Sequence, residues 1–318
     1  MSTKTSYQQT FEVTEKDYGH RLDQVLAAYC EGISRSRLQD WVKNGQVLVN
    51  EQPVTKTRYK IQGNETITVD AEIEQAGTWE PEDIPLDIVY EDEAILVINK
   101  PAGLVVHPAA GNYSGTMVNA LLNHDESLIQ LPRAGIVHRL DKDTTGLLVV
   151  ARTLEAHTHL VAQLQERAFE REYQCIVHGQ FVSGGTIDAP IGRHPTSRLK
   201  MAVVNNGKEA ITHYRLKDKF THFTHLQVNL ETGRTHQIRV HMAHARYPLV
   251  GDLAYGKKNY APSGSSDALR TALREFRRQA LHARKLGLMH PEKDEFMSWE
   301  ADVPSDYAHL LDVIRAED

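Results

Sequence analysis

Long apolar runs are missing. No stretch of about 18 consecutive apolar residues, the length a membrane-spanning helix needs, occurs in the 318 residues. The opening MSTKTSYQQT likewise holds no apolar core of signal-peptide type, so the expected location is the cytoplasm, with no membrane partner. Cysteine is scarce: Cys30 and Cys175 lie far apart and fit neither metal-ligand nor redox spacing, as a reducing compartment permits. No GxGxxG and no Walker-type loop is present, which argues against a nucleotide cofactor. No apolar heptad or long apolar stripe is visible, and a monomer is expected. Finally, Asp70 to Ala94 holds ten acidic residues and no Lys or Arg.

That last gap explains a net charge of -6 that otherwise looks wrong for a nucleic-acid binder. Without the acidic segment, 36 basic residues face 32 acidic ones, and Pro190 to Lys285 alone counts 18 basic against 6 acidic. A local excess of +12 suits an anionic partner, with a merely solvated surface as the plainer alternative. A composition of 41% hydrophobic and 25% charged residues is ordinary for globular chains, and the length predicts one large folded unit plus something smaller.

Residues 18–70 read as the smaller unit. Leu22, Val25, Leu26 and Tyr29 carry helical spacing. A second helix opens at Ser34-Arg35-Ser36-Arg37-Leu38, with Ser34 or Ser36 as N-cap, and Asn44-Gly45 ends it. VLVN, the turn EQP and TITVD give short strands. The segments RLDQVLA and SRSRLQDWVKNGQVLVN resemble the S-four-type RNA-binding domain, except that Glu51 stands where that pattern usually has Gly. Arg35, Arg37 and Lys43 can share one helix face, where they would meet phosphates. Residues 71–85, acidic and punctuated by Gly77, Pro81 and Pro85, read as a linker.

Residues 86–318 form the larger unit. Strands are expected at IVYEDEAILVINKP, GLVVHP, AGIVHRL, GLLVVA, EYQCIVHG, ITHYRL and HLQVNLETG, with a helix near Leu154 to Ala168. No regular strand-helix-strand repeat appears, so the expected class is α+β with a mixed, mostly antiparallel sheet.

Four segments of this unit place polar side chains where structure alone would not ask for them: Asn99-Lys100-Pro101, His138-Arg139-Leu140-Asp141, Arg171-Glu172-Tyr173, and Thr232 through His241. Asp141 follows one expected strand and precedes the turn-formers Lys142-Asp143-Thr144-Thr145, with Gly146 free to take a positive φ before the next strand. Strand-end loops display functional side chains, although a lone Asp there is commonly a cap of its own loop.

Together, HRLDKDTTG, NKPAGLVVHP upstream and TGRTHQIRVHMAH downstream resemble the pseudouridine synthase family that modifies large-subunit ribosomal RNA, and the resemblance runs through GDLAYG and RQALHA almost to the C-terminus. It implies a pseudouridine synthase catalytic domain, with 23S ribosomal RNA or a large-subunit precursor as partner. The implied target is the stem-loop at the subunit interface. The implied reaction uses no metal and no cofactor: uracil is cut from C1′, turned and rejoined through C5. On this resemblance Asp141 is the carboxylate that acts at C1′, as carboxylates do in glycoside hydrolysis. Arg239 is its cationic partner, and Ile238 packs against the uracil. Tyr173 supplies a stacking surface and a candidate acceptor for the C5 proton, although a phenol with an ordinary pKa of about 10 is a poor base. Arg139 enters the space left by the flipped base, where stacking worth about 1–3 kcal/mol is comparable to the cost of flipping. His138, Arg35 and Arg37 complete the implied substrate-binding set.

Three other readings compete. His236, His241 and His244 invite a metal site, but their spacing is not HExxH and Arg239 sits among them as a repelling cation. A non-catalytic RNA-binding factor would account for the first unit alone, yet binding needs no carboxylate at position 141. Hydrolysis of a nucleoside bond would use similar chemistry and release free uracil.

Overall fold

In the computed structural model, the described residues are 4–30, 33, 35–74, 79–108, 112–197, 199–256 and 260–318. The chain divides into two compact units, residues 1–78 and 79–318.

In the first unit, strand β1 (Lys4–Glu12) is followed by helices α1 (Leu22–Tyr29) and α2 (Arg35–Lys43) and strands β2 (Val47–Val49), β3 (Gln52–Pro53) and β4 (Thr66–Glu74), in the sheet order β1-β4-β2-β3. Leu22, Val25 and Leu26 of α1 and Leu38, Trp41 and Val42 of α2 pack with Val47, Ile67 and Val69 into one buried core. Helix α2 ends at Gly45, which takes a φ of +74°. Two features differ from the sequence reading. Residues 4–12 form a full strand against β4, pairing Lys4 with Glu74, because Tyr7 and Phe11 lie over the core. The same pairing carries β4 to Glu74, into the stretch read as linker. The candidate N-caps Ser34 and Ser36 lie outside the described residues and side chains.

The second unit contains β5 (Ile88–Glu91), β6 (Ile95–Lys100), α3 (Met117–His124), β7 (Thr145–Ala151), α4 (Leu154–Gln165), β8 (Glu170–His178), β9 (Gly185–Asp188), β10 (Ile191–Arg193), β11 (Met201–Val203), β12 (Ile211–Lys219), β13 (Phe223–Leu230), α5 (Gln237–His244), α6 (Asp267–Glu275), β14 (Leu281–Met289), β15 (Phe296–Glu300) and α7 (Ser305–Glu317). Its main sheet runs β5-β6-β7-β14-β8-β13-β12-β9, with β15 added on β14; β10 and β11 pair apart from it. All neighbours are antiparallel except β7 and β14. This is the α+β, mixed and mostly antiparallel class read from the sequence. Among the described residues no helix is long and apolar enough to cross a membrane.

The parallel joint between β7 and β14 spans only two pairs, Thr145 with His282 and Gly146 with Ala283. Beyond it the sheet forks: β15 takes the edge of β14 that β7 leaves, and Ile136 bridges Val150 on the edge of β7 that β14 leaves. Gly146 makes the joint possible. Its φ is +108°, and a Cβ there would lie 2.2 Å from the Ala283 carbonyl oxygen.

The fork also explains why AGIVHRL is not a strand. Only Ile136 bridges, and the Val149 N–H that a further strand would have used donates instead to Nε2 of His138, at 3.0 Å. GLVVHP is likewise a loop with a single bridge, Val105 to Thr116. Within it, the Leu104 carbonyl accepts from Nζ of Lys100 at 3.0 Å instead of from a neighbouring strand.

Candidate active site

A cleft of about 870 Å³ opens beside the joint, walled by residues 136–141, by Arg171 and Tyr173 of β8, and by the turn from β13 into α5. Of the residues singled out in the sequence, it brings together His138, Arg139, Asp141, Tyr173, Ile238 and Arg239.

Asp141 enters the cleft from a loop held at both ends. The loop closes on itself through the Thr144 N–H, which donates to the Asp141 carbonyl at 3.1 Å. From below, fully buried Lys100 donates Nζ to the carbonyls of Pro101 at 2.7 Å, Leu104 at 3.0 Å and Lys142 at 2.8 Å. It ties the loop after β6 to the loop of Asp141. Burial pulls the Lys100 pKa down to about 8, although Asp143 and Asp141 pull the other way. On the far side Gln279 donates to the Thr144 hydroxyl at 3.0 Å.

The two oxygens of Asp141 are in unequal surroundings. Oδ2 accepts from Nη1 of Arg239 at 2.9 Å, whereas Oδ1 faces Nε2 of His236 at 3.8 Å. Arg239 is itself clamped: its Nε and Nη2 donate to the two carboxylate oxygens of buried Asp252 at 2.7 and 2.9 Å, and its guanidinium lies 5.0 Å from the centre of the Tyr255 ring. A planar fork bound at both ends has one orientation left, which aims Nη1 at Asp141. Burial works against the charge on Arg239, but Asp252 and Asp141 outweigh it and raise its pKa. Burial likewise pushes Asp252 up, and Arg239 with the N–H groups of Tyr255 and Ala254 brings it below the usual carboxylate value.

The opposite wall is apolar. Tyr173, Ile238, Leu140 and Leu281 belong to one buried cluster beneath the carboxylate. Burial raises the phenol pKa of Tyr173 and Asp141 adds to this, while Arg171 opposes it. Ile238 reaches the cluster because α5 starts sharply. His236 adopts a left-handed backbone (φ +57°), and Gln237 anchors the turn, accepting from the Thr232 hydroxyl at 2.8 Å and from the Arg234 N–H at 2.9 Å.

The remaining expected residues lie as follows. Arg139 is exposed at the cleft. His138 lines it too, but its Nε2 is occupied by Val149, and burial with nearby Arg171 lowers its pKa to about 3. Arg35 and Arg37 stand on α2 in the other unit; Arg37 is half-buried, and the Arg35 side chain lies outside those described. His241, weighed as a metal ligand, has both ring nitrogens engaged within the core, with the Thr212 hydroxyl at 2.8 Å and the Ala189 carbonyl at 2.9 Å. Among the described residues no cluster of three or more His, Cys, Asp or Glu is placed to hold a metal ion.

Asp252 escaped the sequence reading, as did the clamp formed by Lys100. The available signal for Asp252 was its glycine: Gly251 has a φ of +74°, and a Cβ there would lie 2.1 Å from the Arg278 carbonyl oxygen, so the GD pair in GDLAYG marks a forced turn.

Residues 94–244 match the family described as RNA pseudouridylate synthase, and residues 20–67 match the S4 domain. The ribosomal large subunit pseudouridine synthase D of Escherichia coli (strain K12) is 53% identical over 310 residues, covering 98% of this chain and 95% of its own length. The protein of the same name from Pseudomonas aeruginosa is 55% identical, covering 98% of this chain and 97% of itself. Among solved structures, human RNA pseudouridylate synthase domain containing 4 is 27% identical with a TM-score of 0.55, covering 72% of this chain and 92% of its own.

Proposed function

The chain belongs to the RNA pseudouridylate synthase family and carries an S4 domain ahead of the catalytic unit, and from that premise we propose how its cleft converts a uridine of 23S ribosomal RNA to pseudouridine. The target is a stem-loop of the large subunit at the subunit interface, in free RNA or in a subunit precursor. The pairing of Asp141 with Arg239 at 2.9 Å, above the Tyr173 and Ile238 wall, carries the reading.

Cleavage of the N1–C1′ bond builds positive character at C1′, which the Asp141 carboxylate attacks or stabilises. Arg239 keeps that carboxylate aimed by holding Oδ2, which leaves Oδ1 toward the substrate. The detached uracil turns between Tyr173 and Ile238, rejoins through C5, releases the C5 proton to solvent and takes one up at N1, so that no atom is gained or lost. The raised pKa of Tyr173 keeps its phenol protonated at rest, which supports a stacking role more strongly than a role as base. An exposed Arg139 at the mouth suits insertion into the RNA stack vacated by the flipped base. His138, pinned to β7, contributes to the cleft wall, and Arg35 and Arg37 hold RNA through phosphates. A monomer is expected from the lack of an apolar heptad in the sequence. Isomerisation leaves the atoms and oxidation state of the substrate unchanged, so the chemistry calls for no cofactor.

The test is incubation with 23S RNA followed by pseudouridine mapping and mass measurement. Pseudouridine at unchanged RNA mass is expected; free uracil would instead establish hydrolysis. Mapping ribosomal RNA from cells with and without the protein checks the target, and no lost site would refute it.

A further inference from the structure

Two hydrogen bonds in series lead toward the Oδ1 side of the active-site carboxylate. The backbone N–H of Met201 donates to the Tyr255 hydroxyl oxygen at 2.8 Å, and that hydroxyl lies 2.7 Å from Nδ1 of His236. Because the oxygen already accepts from Met201, the hydroxyl proton is best spent on Nδ1. An imidazole that accepts at Nδ1 carries its proton on Nε2 when neutral. Nε2 faces Oδ1 of Asp141 at 3.8 Å. The reverse tautomer would set a nitrogen lone pair against the carboxylate and leave the Tyr255 proton without an acceptor in this contact. Burial keeps the ring neutral against the pull of Asp141, with Arg239 acting in the same direction as burial.

The backbone agrees. His236 holds a left-handed conformation at the head of α5, and that conformation swings the ring back over Asp141 instead of out along the helix.

We propose that His236 is a further positioning residue: Tyr255 fixes it as the Nε2–H tautomer, and this N–H steadies Oδ1 of Asp141 while Arg239 steadies Oδ2. The gap of 3.8 Å is longer than a hydrogen bond, and the N–H acts across it as an oriented dipole. An Nε2–H at that distance orients the carboxylate without quenching the oxygen that must approach C1′. The inference rests on Asp141 being the reacting carboxylate.

Two measurements on the full chain test it. In ¹⁵N-histidine-labelled protein near neutral pH, the His236 resonance, identified by its loss in His236→Gln, is expected to show Nε2–H, and Tyr255→Phe is expected to mix the tautomers. An Nδ1–H signal in the unsubstituted protein overturns the proposal without any variant having to fold. In single-turnover assays His236→Ala is expected to slow pseudouridine formation by about 10- to 100-fold at saturating RNA with affinity for RNA unchanged. His236→Gln, which keeps a donor at the same reach, recovers most of the rate. Wild-type turnover in His236→Ala overturns the inference while leaving the role of Asp141 intact. Undiminished turnover in Asp141→Asn would overturn that underlying reading instead.

Discussion

Asp252 decides where the Arg239 charge points, because the bidentate pair at 2.7 and 2.9 Å leaves Nη1 only the direction of Asp141. Replacing Asp252 by Asn leaves a buried guanidinium short of its strongest counter-charge, and breaking such a pair costs about 3–5 kcal/mol. The expected outcome in calorimetry is a matching loss of stability. In assays kcat falls about 10²-fold, because a misplaced carboxylate partner disturbs the attack geometry. His138 provides a second residue-level prediction. Its pKa is lowered in the fold to about 3 by burial, so between that value and the ordinary histidine value the unfolded chain binds more protons than the folded one. Stability from this group is present above about pH 6.5 and is lost as the pH falls through that window toward 3. Subtracting the pH–stability curve of His138→Gln from that of the unsubstituted protein isolates the effect. Little of this residue-level coupling was legible in the sequence. Asp141 and Arg239 lie 98 positions apart, and only the family resemblance joined them. Asp252 had no resemblance-derived role, and spacing could not show that its carboxylate meets Arg239.

At the scale of elements, the fork between β7 and β14 creates the site. Gly146→Ala places a Cβ 2.2 Å from a carbonyl oxygen at a φ of +108°, so the joint opens; thermal unfolding should show a loss of at least about 3 kcal/mol, with activity falling in parallel. A variant of wild-type stability would contradict the role given to the joint. The strands at GLLVVA and EYQCIVHG were readable from sequence because each pairs along its length with one regular antiparallel neighbour, β6 and β13 respectively. The apolar runs GLVVHP and AGIVHRL had the same local appearance and are loops. A histidine ring satisfies the N–H of β7 in one case, and a buried lysine gathers the carbonyls in the other. Those are long-range side-chain events, invisible to periodicity. Glu51 shows the converse. Its departure from Gly was readable, and the residue indeed sits at a left-handed turn position, with φ +65°.

Over the whole molecule, two units with separate cores suggest separate tasks, RNA grip by the first and chemistry by the second. Removing residues 1–78 should raise the apparent KM for large-subunit RNA while largely keeping kcat on a short stem-loop. Loss of turnover at saturating RNA would contradict that division. The basic excess of residues 190–285 needs correction as a measure of RNA affinity. Arg239, Arg278 and Arg284 are all committed to internal pairs, the last two with Asp306 and Glu300 at 2.7 and 3.2 Å. Part of that charge builds the fold and the site, and composition could not separate it from charge offered to RNA.

The central claim is that one carboxylate, steadied by Arg239, does the chemistry, and Asp141→Asn tests it most directly. This change keeps the shape of the side chain and removes its charge. Single-turnover assays on 23S RNA, with pseudouridine mapped and RNA affinity measured on the same preparation, should show product formation abolished and affinity within a few-fold of the unsubstituted protein. Pseudouridine formed by Asp141→Asn at an undiminished rate would contradict the account.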